Sequence, residues 1–242
     1  MKVLSAMAGI NDGEYCKKFT KQGIDILTLG VYNADKKSFQ AALKLISEGR
    51  KEFLTCPNHL SEELSSQVDI IHNYNPQWNG KINANIRSSD PKTYNKLSKI
   101  QNIDIIEINA HCRQEPMKEA MCGESLLHNT MLLKDILSNF SGDCEISVKI
   151  RCNVKNVDIF KIIELIESYN VAYLHVDAMK PNVMHADYEL LEKICNFTKL
   201  HVIGNNSVTC YDDYLKMLNT GVNSVSIARA SLNGNVNSIF KK

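Results

Sequence analysis

The strongest constraint on how this chain can fold is a rhythm: strand-sized apolar runs alternate with segments of helical spacing along almost its whole length. The runs are Val3–Gly9 (a short strand passing into the turn Asn11-Asp12-Gly13), Ile26–Gly30, Ile82–Ile86, Ile103 to Ile108, Glu145–Arg151, Ala172–Val176, Leu200–Gly204 and Ser224–Ile227. Between them Glu14–Gln22, Lys36–Glu48, Ser61–His72, Ser125–Ser138, Asp158–Tyr169, Asp187–Thr198 and Tyr211–Thr220 read as helices, and Ser89 or Asp90 followed by Pro91 opens one more. Proline suits a first helical turn and Gly221 the residue just past a helix end. In Lys36–Glu48 the apolar residues Phe39, Ala42, Leu43 and Ile46 define the face expected to be buried.

Such alternation predicts a parallel sheet, and eight units predict a closed (β/α)8 barrel forming a single domain over residues 1–242. The length agrees, since barrels of this kind run near ~250 residues. A doubly wound open sheet is the competing architecture, but no G-x-G-x-x-G follows any strand.

Composition removes several function classes. A formal net charge of +1 gives no global electrostatic footprint for nucleic acid, so any site for a polyanion must be local. Eight cysteines lie scattered with no C-x-x-C pair, which argues against a zinc ribbon or disulfide scaffold and for reduced thiols with no metal site. No apolar run approaches the ~20 residues of a membrane span. Met1 opens no basic, apolar leader, so a cytoplasmic protein is expected.

In a (β/α)8 barrel the chemistry sits where the strands end. Those positions hold Met7-Ala8-Gly9, Asn85 with Arg87, Asn109 to Arg113, Lys149 with Arg151, His175 with Asp177, Gly204-Asn205-Asn206 and Ala228-Arg229. Five are cationic (Arg87, Arg113, Lys149, Arg151, Arg229), which points to an anionic ligand, best a phosphate ester. Loops after the last two strands are the usual phosphate site of this fold, and Asn205 and Asn206 tolerate the left-handed backbone a tight N–H-exposing turn needs. Within the fourth run Glu107 is a charge in a dry region and requires a partner. Cys112, between His111 and Arg113, is the best candidate for proton chemistry, because positive neighbours lower a thiol's pKa. Cys122 competes for the role from the same loop.

Together these strand ends resemble the tRNA-dihydrouridine synthase family of flavoproteins, particularly its compact archaeal relatives. Leu4-Ser5-Ala6-Met7-Ala8-Gly9 is similar to A-P-M-x-G, Asn85 to Pro91 to Q-L-x-G-x-D-P, Asn109-Ala110-His111-Cys112 to N-x-G-C-P, Gly123 to Leu127 to G-x-x-L-L, and Val148-Lys149-Ile150-Arg151 to V-K-x-R. His175 aligns with a strand-six histidine, and Asn205-Asn206-Ser207 and Ala228-Arg229 with N-G-D and G-R. The resemblance implies an FMN-dependent oxidoreductase reducing a uracil-type ring, with Cys112 as the catalytic acid and Asn109 and His175 orienting the ring. It implies that Ala6, Met7, Ala8, Asn85 and Lys149 contact the flavin, and that Gly204, Asn205, Asn206, Ala228 and Arg229 hold its phosphate. A dihydroorotate-dehydrogenase-like enzyme acting on a free pyrimidine and a non-catalytic barrel binding a phosphorylated ligand are the alternatives.

The chain departs from those motifs at His111, Arg113, Asp177, Asn206 and Ala228. The family's C-terminal helical domain, which grips tRNA, is expected to be missing, since only Ser231–Lys242 follow the last strand. A short final helix is expected to leave apolar surface beside the first and last strands, and so to favour a homo-oligomer or a partner protein that supplies RNA contacts.

Overall fold

In the computed structural model, which describes residues 1–241, eight parallel strands close into a barrel in sequence order. They are β1 (Lys2–Leu4), β2 (Ile26–Asn33), β3 (Lys81–Arg87), β4 (Ile105–Ala110), β5 (Glu145–Arg151), β6 (Tyr173–Asp177), β7 (His201–Asn205) and β8 (Ser224–Ile227). Closure is made by β8 against β1, where Leu4 pairs with Ile227.

The strands sort their side chains by a period of two. One set (Leu27 and Leu29, Ile106 and Ile108, Val148 and Ile150, Leu174 and Val176) joins the surrounding helices in the main apolar core. A separate apolar cluster of Val3, Ile26, Ile105, Tyr173 and Ile203 plugs the barrel toward the strands' N-terminal ends. The positions that follow the plug on the inward parity are polar: Thr28, Asn83 and Asn85, Glu107, Ser147 and Lys149, His175, and Ser226. The interior is therefore apolar at its base and hydrogen-bonded above it.

Acidic and amide caps start the helices where the chain leaves the strands. Asp90 accepts from the Lys92 amide with Pro91 in the first turn, Asp158 caps Ile159–Glu167, and Asp187 caps Tyr188–Phe197. Asp35 forms a capping box with Ser38 at the head of Lys36–Ser47.

Three local expectations are corrected. Ser125–Ser138 is two helices, Ser125–His128 and Thr130–Ser138, because Asn129 leaves helical geometry and its side chain caps the second at the Leu132 amide. The buried face of Lys36–Ser47 is Ser38, Ala41, Ala42 and Leu45, with Leu43 45% exposed. It turns that way because Ala41, Ala42 and Leu45 pack on Met117, Ala120 and Cys122, in a segment containing the unforeseen helix Glu115–Glu119. The bare patch expected beside the first and last strands is filled. Val236, Ile239 and Phe240 are buried, Phe240 meets Tyr214 edge-on at 5.2 Å, and Gln22 holds the Val236 amide and the Gly234 carbonyl.

Leu45→Ala should lower stability by roughly 2–5 kcal/mol, the range for opening a core cavity. Leu43→Ala should stay within about 0.5 kcal/mol of the parent in urea unfolding.

Candidate active site

A cavity of about 330 Å³ opens among the C-terminal ends of the strands. Its walls come from Ser5 and Ala6 after β1, His111 and Arg113 after β4, Lys149 and Arg151 on β5, Asp177 at the end of β6, Asn205 to Thr209, and Ser226 to Ala230. Four of the five strand-end cations line it (Arg113, Lys149, Arg151, Arg229) against the one carboxylate of Asp177. Asp177 is itself matched. It takes Arg151 Nη2 at 3.1 Å, His111 Nε2 at 3.1 Å and Asn206 Nδ2 at 2.8 Å. Although burial opposes its ionisation, these donors hold its carboxyl well below the usual carboxylate range.

Beneath the cavity runs a buried hydrogen-bond chain centred on Glu107, which is fully buried. Its Oε1 accepts from Asn85 Nδ2 at 2.6 Å, and its Oε2 from Ser147 Oγ at 3.0 Å and His175 Nδ1 at 2.7 Å. Burial alone would raise its pKa, yet His175, Lys149 and Asn85 hold it far below the usual range. Burial and the neighbouring Lys149 lower the His175 pKa, so the ring is neutral, donating from Nδ1 and accepting at Nε2 from Ser226 Oγ at 2.7 Å. Asn205 Nδ2 in turn donates to Ser226 Oγ at 2.7 Å. On the other flank Asn109 Nδ2 donates to Asn85 Oδ1 at 2.8 Å, and Asn109 Oδ1 accepts the Cys112 amide at 3.1 Å. Lys149 Nζ donates to Ser5 Oγ, and burial lowers the lysine's pKa.

The expected residues thus fall into groups. Ala6, Lys149, Asn205, Asn206, Ala228 and Arg229 line the cavity. Asn85, Asn109 and His175 lie in the network below it, and both His175 ring nitrogens are engaged there. Gly204 is buried within β7, where a Cβ would sit 2.7 Å from Met217 Sδ. The Met7 carbonyl caps the turn back to Asn11, and Ala8 borders a separate recess with Glu52 and Arg87. Left-handed backbone falls on Asn206 (φ 110) and Ser207 (φ 56), one residue later than Asn205 and Asn206.

Cys112 is 5% exposed and does not line the cavity. Its Sγ lies 3.1 Å from Arg87 Nη2 and 3.8 Å from His111 Nδ1. Arg87, expected at the rim, is instead buried behind the thiol and paired with Glu52 at 2.8 Å. Burial disfavours the thiolate, but Arg87 and His111 outweigh it and bring the Cys112 pKa down to about 6. Burial and Asp35 push the competing thiol of Cys122 above the ordinary thiol range. Sequence reasoning placed His111, Arg151 and Asp177 at strand ends without a specific role for each, and gave Ser5 and Ser226 no role of their own. The serines carried only one signal, their inward parity on β1 and β8.

A closed (β/α)8 barrel with a cationic cavity at its C-terminal rim defines a fold that hosts many activities rather than one. Within it, the chain belongs to the dihydrouridine synthase family, whose family model matches residues 38–235. An uncharacterised protein of Methanocaldococcus jannaschii is 34% identical over 243 residues, covering 97% of this chain and 90% of that protein. A tRNA-dihydrouridine(47) synthase (NAD(P)(+))-like protein of Xenopus tropicalis is 22% identical over 193 residues, covering 75% of this chain but 30% of its own length. Among solved structures, a thiamine phosphate pyrophosphorylase from Pyrococcus furiosus shares the fold at TM-score 0.54 and 11% identity, over 99% of this chain and 89% of its own. An N-acetylmannosamine-6-phosphate 2-epimerase from Clostridium perfringens does so at 0.55 and 12%, over 95% and 85%. Among the described residues no helix is long and apolar enough to cross a membrane.

Glu107→Gln should cost about 1–3 kcal/mol at pH 7, the scale for losing hydrogen bonds to a buried charged group. Because the folded-state pKa of Glu107 is depressed, its contribution is present above the unfolded carboxylate value of ~4.3 and fades as pH falls. Urea midpoints at pH 7 and pH 3 should therefore drop less in the variant than in the parent.

Proposed function

We propose that the chain is a flavin-dependent oxidoreductase that holds FMN in the rim cavity and reduces a uracil-type ring carried by tRNA. The observation that carries the reading is the lining of that cavity. Lys149, Arg113, Arg151 and Arg229 face it, while Asp177 is already neutralised by its own partners. That donor set fits a phosphate dianion, and family membership adds the ring chemistry. The volume lies at the small end of small-molecule sites, roughly 300–1,000 Å³.

In this reading Arg229 and the Asn205 to Ser207 turn hold the phosphate, with Asn205 fixed by Ser226. Lys149, steadied by Ser5, would steady the electron-rich part of the flavin, and Ala6 would help to hold its ring. Bound and reduced, the flavin supplies a hydride to one ring carbon. The Cys112 loop supplies the proton to the neighbouring carbon. Asn85, Asn109 and His175 act from below: Asn85 and His175 hold Glu107, and Asn109, held by Asn85, fixes the Cys112 amide. Free thiols at all eight cysteines fit a reducing, cytoplasmic setting.

The purified protein should be yellow, or quench added FMN fluorescence on mixing. Lys149→Ala and Arg229→Ala should each weaken FMN roughly 10–100-fold, the worth of one charged hydrogen bond. Cys112→Ala should keep FMN and lose roughly 10²–10⁴-fold in dihydrouridine formation on unmodified tRNA. A colourless protein indifferent to FMN would remove the reading.

A further inference from the structure

The segments that wall the rim cavity also wall a second recess, of about 250 Å³. Ala6 faces the cavity and Ala8 the recess; Arg113 faces the cavity and Gln114 the recess. Arg50, Lys51, Glu52 and Arg87 complete its walls. Its shape is set by close packing. Gly9 has φ 66, and a Cβ there would stand 2.8 Å from the Glu52 amide nitrogen and 2.8 Å from Lys51 Cβ, so the Lys51–Glu52 segment is pressed onto the turn after β1. Glu52 in turn fixes Arg87, whose Nη1 reaches it at 2.8 Å and Asn33 Oδ1 at 3.3 Å. Arg87 Nη2 reaches Cys112 Sγ at 3.1 Å.

Two polar atoms in this wall have no partner. Arg87 is 1% exposed, and its Nε–H, unlike its other two nitrogens, meets no acceptor. Gln114 Oε1 is buried and meets no donor, and although Gln114 stands at the N-cap of Glu115–Glu119, its side chain makes no capping bond. Buried polar groups are as a rule paired, so a ligand that pairs both atoms gains from each. One donor and one acceptor match a lactam edge, a C=O beside an N–H, as in uracil. An anion alone does not match, because it would meet the Gln114 carbonyl oxygen without a proton to share. The exposed Arg50 and Lys51 add positive charge at the opening, while the one carboxylate of the recess is committed to Arg87. A ring edge inside and cations outside fit a uridine nucleotide better than a free base.

We infer that Arg87 and Gln114 read the edge of the ring that is reduced: Arg87 Nε–H donates to a ring carbonyl and Gln114 Oε1 accepts the ring N–H, with Arg50 and Lys51 taking the phosphate of the same nucleotide. The inference rests on the ring-reducing reading for the identity of the ring. It also gives the thiol its place. Cys112 does not line the rim cavity, but the guanidinium it touches lines the recess, so a ring held by Arg87 meets the Cys112 proton from that side. Arg87 and Gln114 set position and specificity, and the proton remains the thiol's.

The test reads the two unpaired groups directly. ¹H–¹⁵N NMR of the protein, with FMN added and without it, should show the Arg87 Nε–H and Gln114 side-chain amide signals move on titration with uridine monophosphate. The N3-methyl analogue, which has no ring N–H, should bind at least roughly tenfold more weakly. Gln114→Ala, at a partly exposed position, should weaken uridine monophosphate and bring the two ligands to equal affinity. Arg50→Ala combined with Lys51→Ala should bring uridine monophosphate down to the affinity of uridine, which carries no phosphate. On tRNA with FMN, Gln114→Ala should raise KM roughly tenfold at unchanged FMN affinity. Both signals unmoved at millimolar uridine monophosphate, or a preference over the methylated ring that survives Gln114→Ala, overturns the assignment. Movement of both signals in a protein indifferent to FMN would instead count against the oxidoreductase reading and leave the recess standing as a nucleotide site.

Discussion

A carboxylate sealed inside a barrel costs several kcal/mol unless donors surround it, and Glu107 satisfies that condition with three strands at once. Asn85 reaches it from β3, Ser147 from β5 and His175 from β6. Through Ser226 and Asn205 the chain of donors continues to β8 and β7, and through Asn109 to the Cys112 amide. The charge satisfied inside the barrel is thus tied, through Asn85 and Asn109, to the Cys112 amide in the loop above it. Fold and site share one solution, so the site is organised before any ligand arrives.

The layering of the barrel follows from this. Below Glu107 the interior is an apolar plug, with Ile105 directly beneath it on the same parity of β4. Above it, Asn109 is the next inward residue on β4, while β5 continues from Lys149 to Arg151 and β6 from His175 to Asp177. The sequence of layers, apolar to buried ionic to cavity-facing ionic, gives a steep rise in polarity along a few residues of each strand. Rigid strands, rather than loops, present most of the charged groups to the cavity. That is why a chain of net charge +1 can still offer a strongly cationic site.

Much of this could be read from residues alone, and what could not has identifiable causes. Strands Glu145–Arg151 and Ser224–Ile227 were legible to the residue because apolar alternation and flanking turns agree there. The need of Glu107 for a partner was legible too, but His175, Ser147 and Asn85 as those partners required the register of three strands. The face of Lys36–Ser47 was not legible. Helical spacing allowed Leu43 or Leu45 inward, and the choice was made by Met117 and Cys122, distant in sequence. Arg87 looked like a rim cation, and only its pairing with buried Glu52 turned it behind the thiol. His111 and Asp177 each looked like a departure from a motif. Their contact could be seen only once β4 and β6 were placed on either side of β5.

The loop after β7 shows how such departures can be coupled. Asn206 and Ser207 keep the left-handed backbone that glycine adopts freely, at a cost that is small for asparagine and larger for serine. The turn thus takes left-handed backbone while carrying side chains. The added amide is spent on Asp177, donating from Asn206 Nδ2 at 2.8 Å, while Ser207 Oγ donates to Asn206 Oδ1 at 2.6 Å. Asp177 in turn holds His111. A ligand phosphate drawn to the Asn205 to Ser207 turn would press on the same amide that fixes the carboxylate beside the imidazole. The turn after β7 and the imidazole after β4 are joined by two hydrogen-bonded side chains, Asn206 and Asp177, a link that a glycine at position 206 could not make.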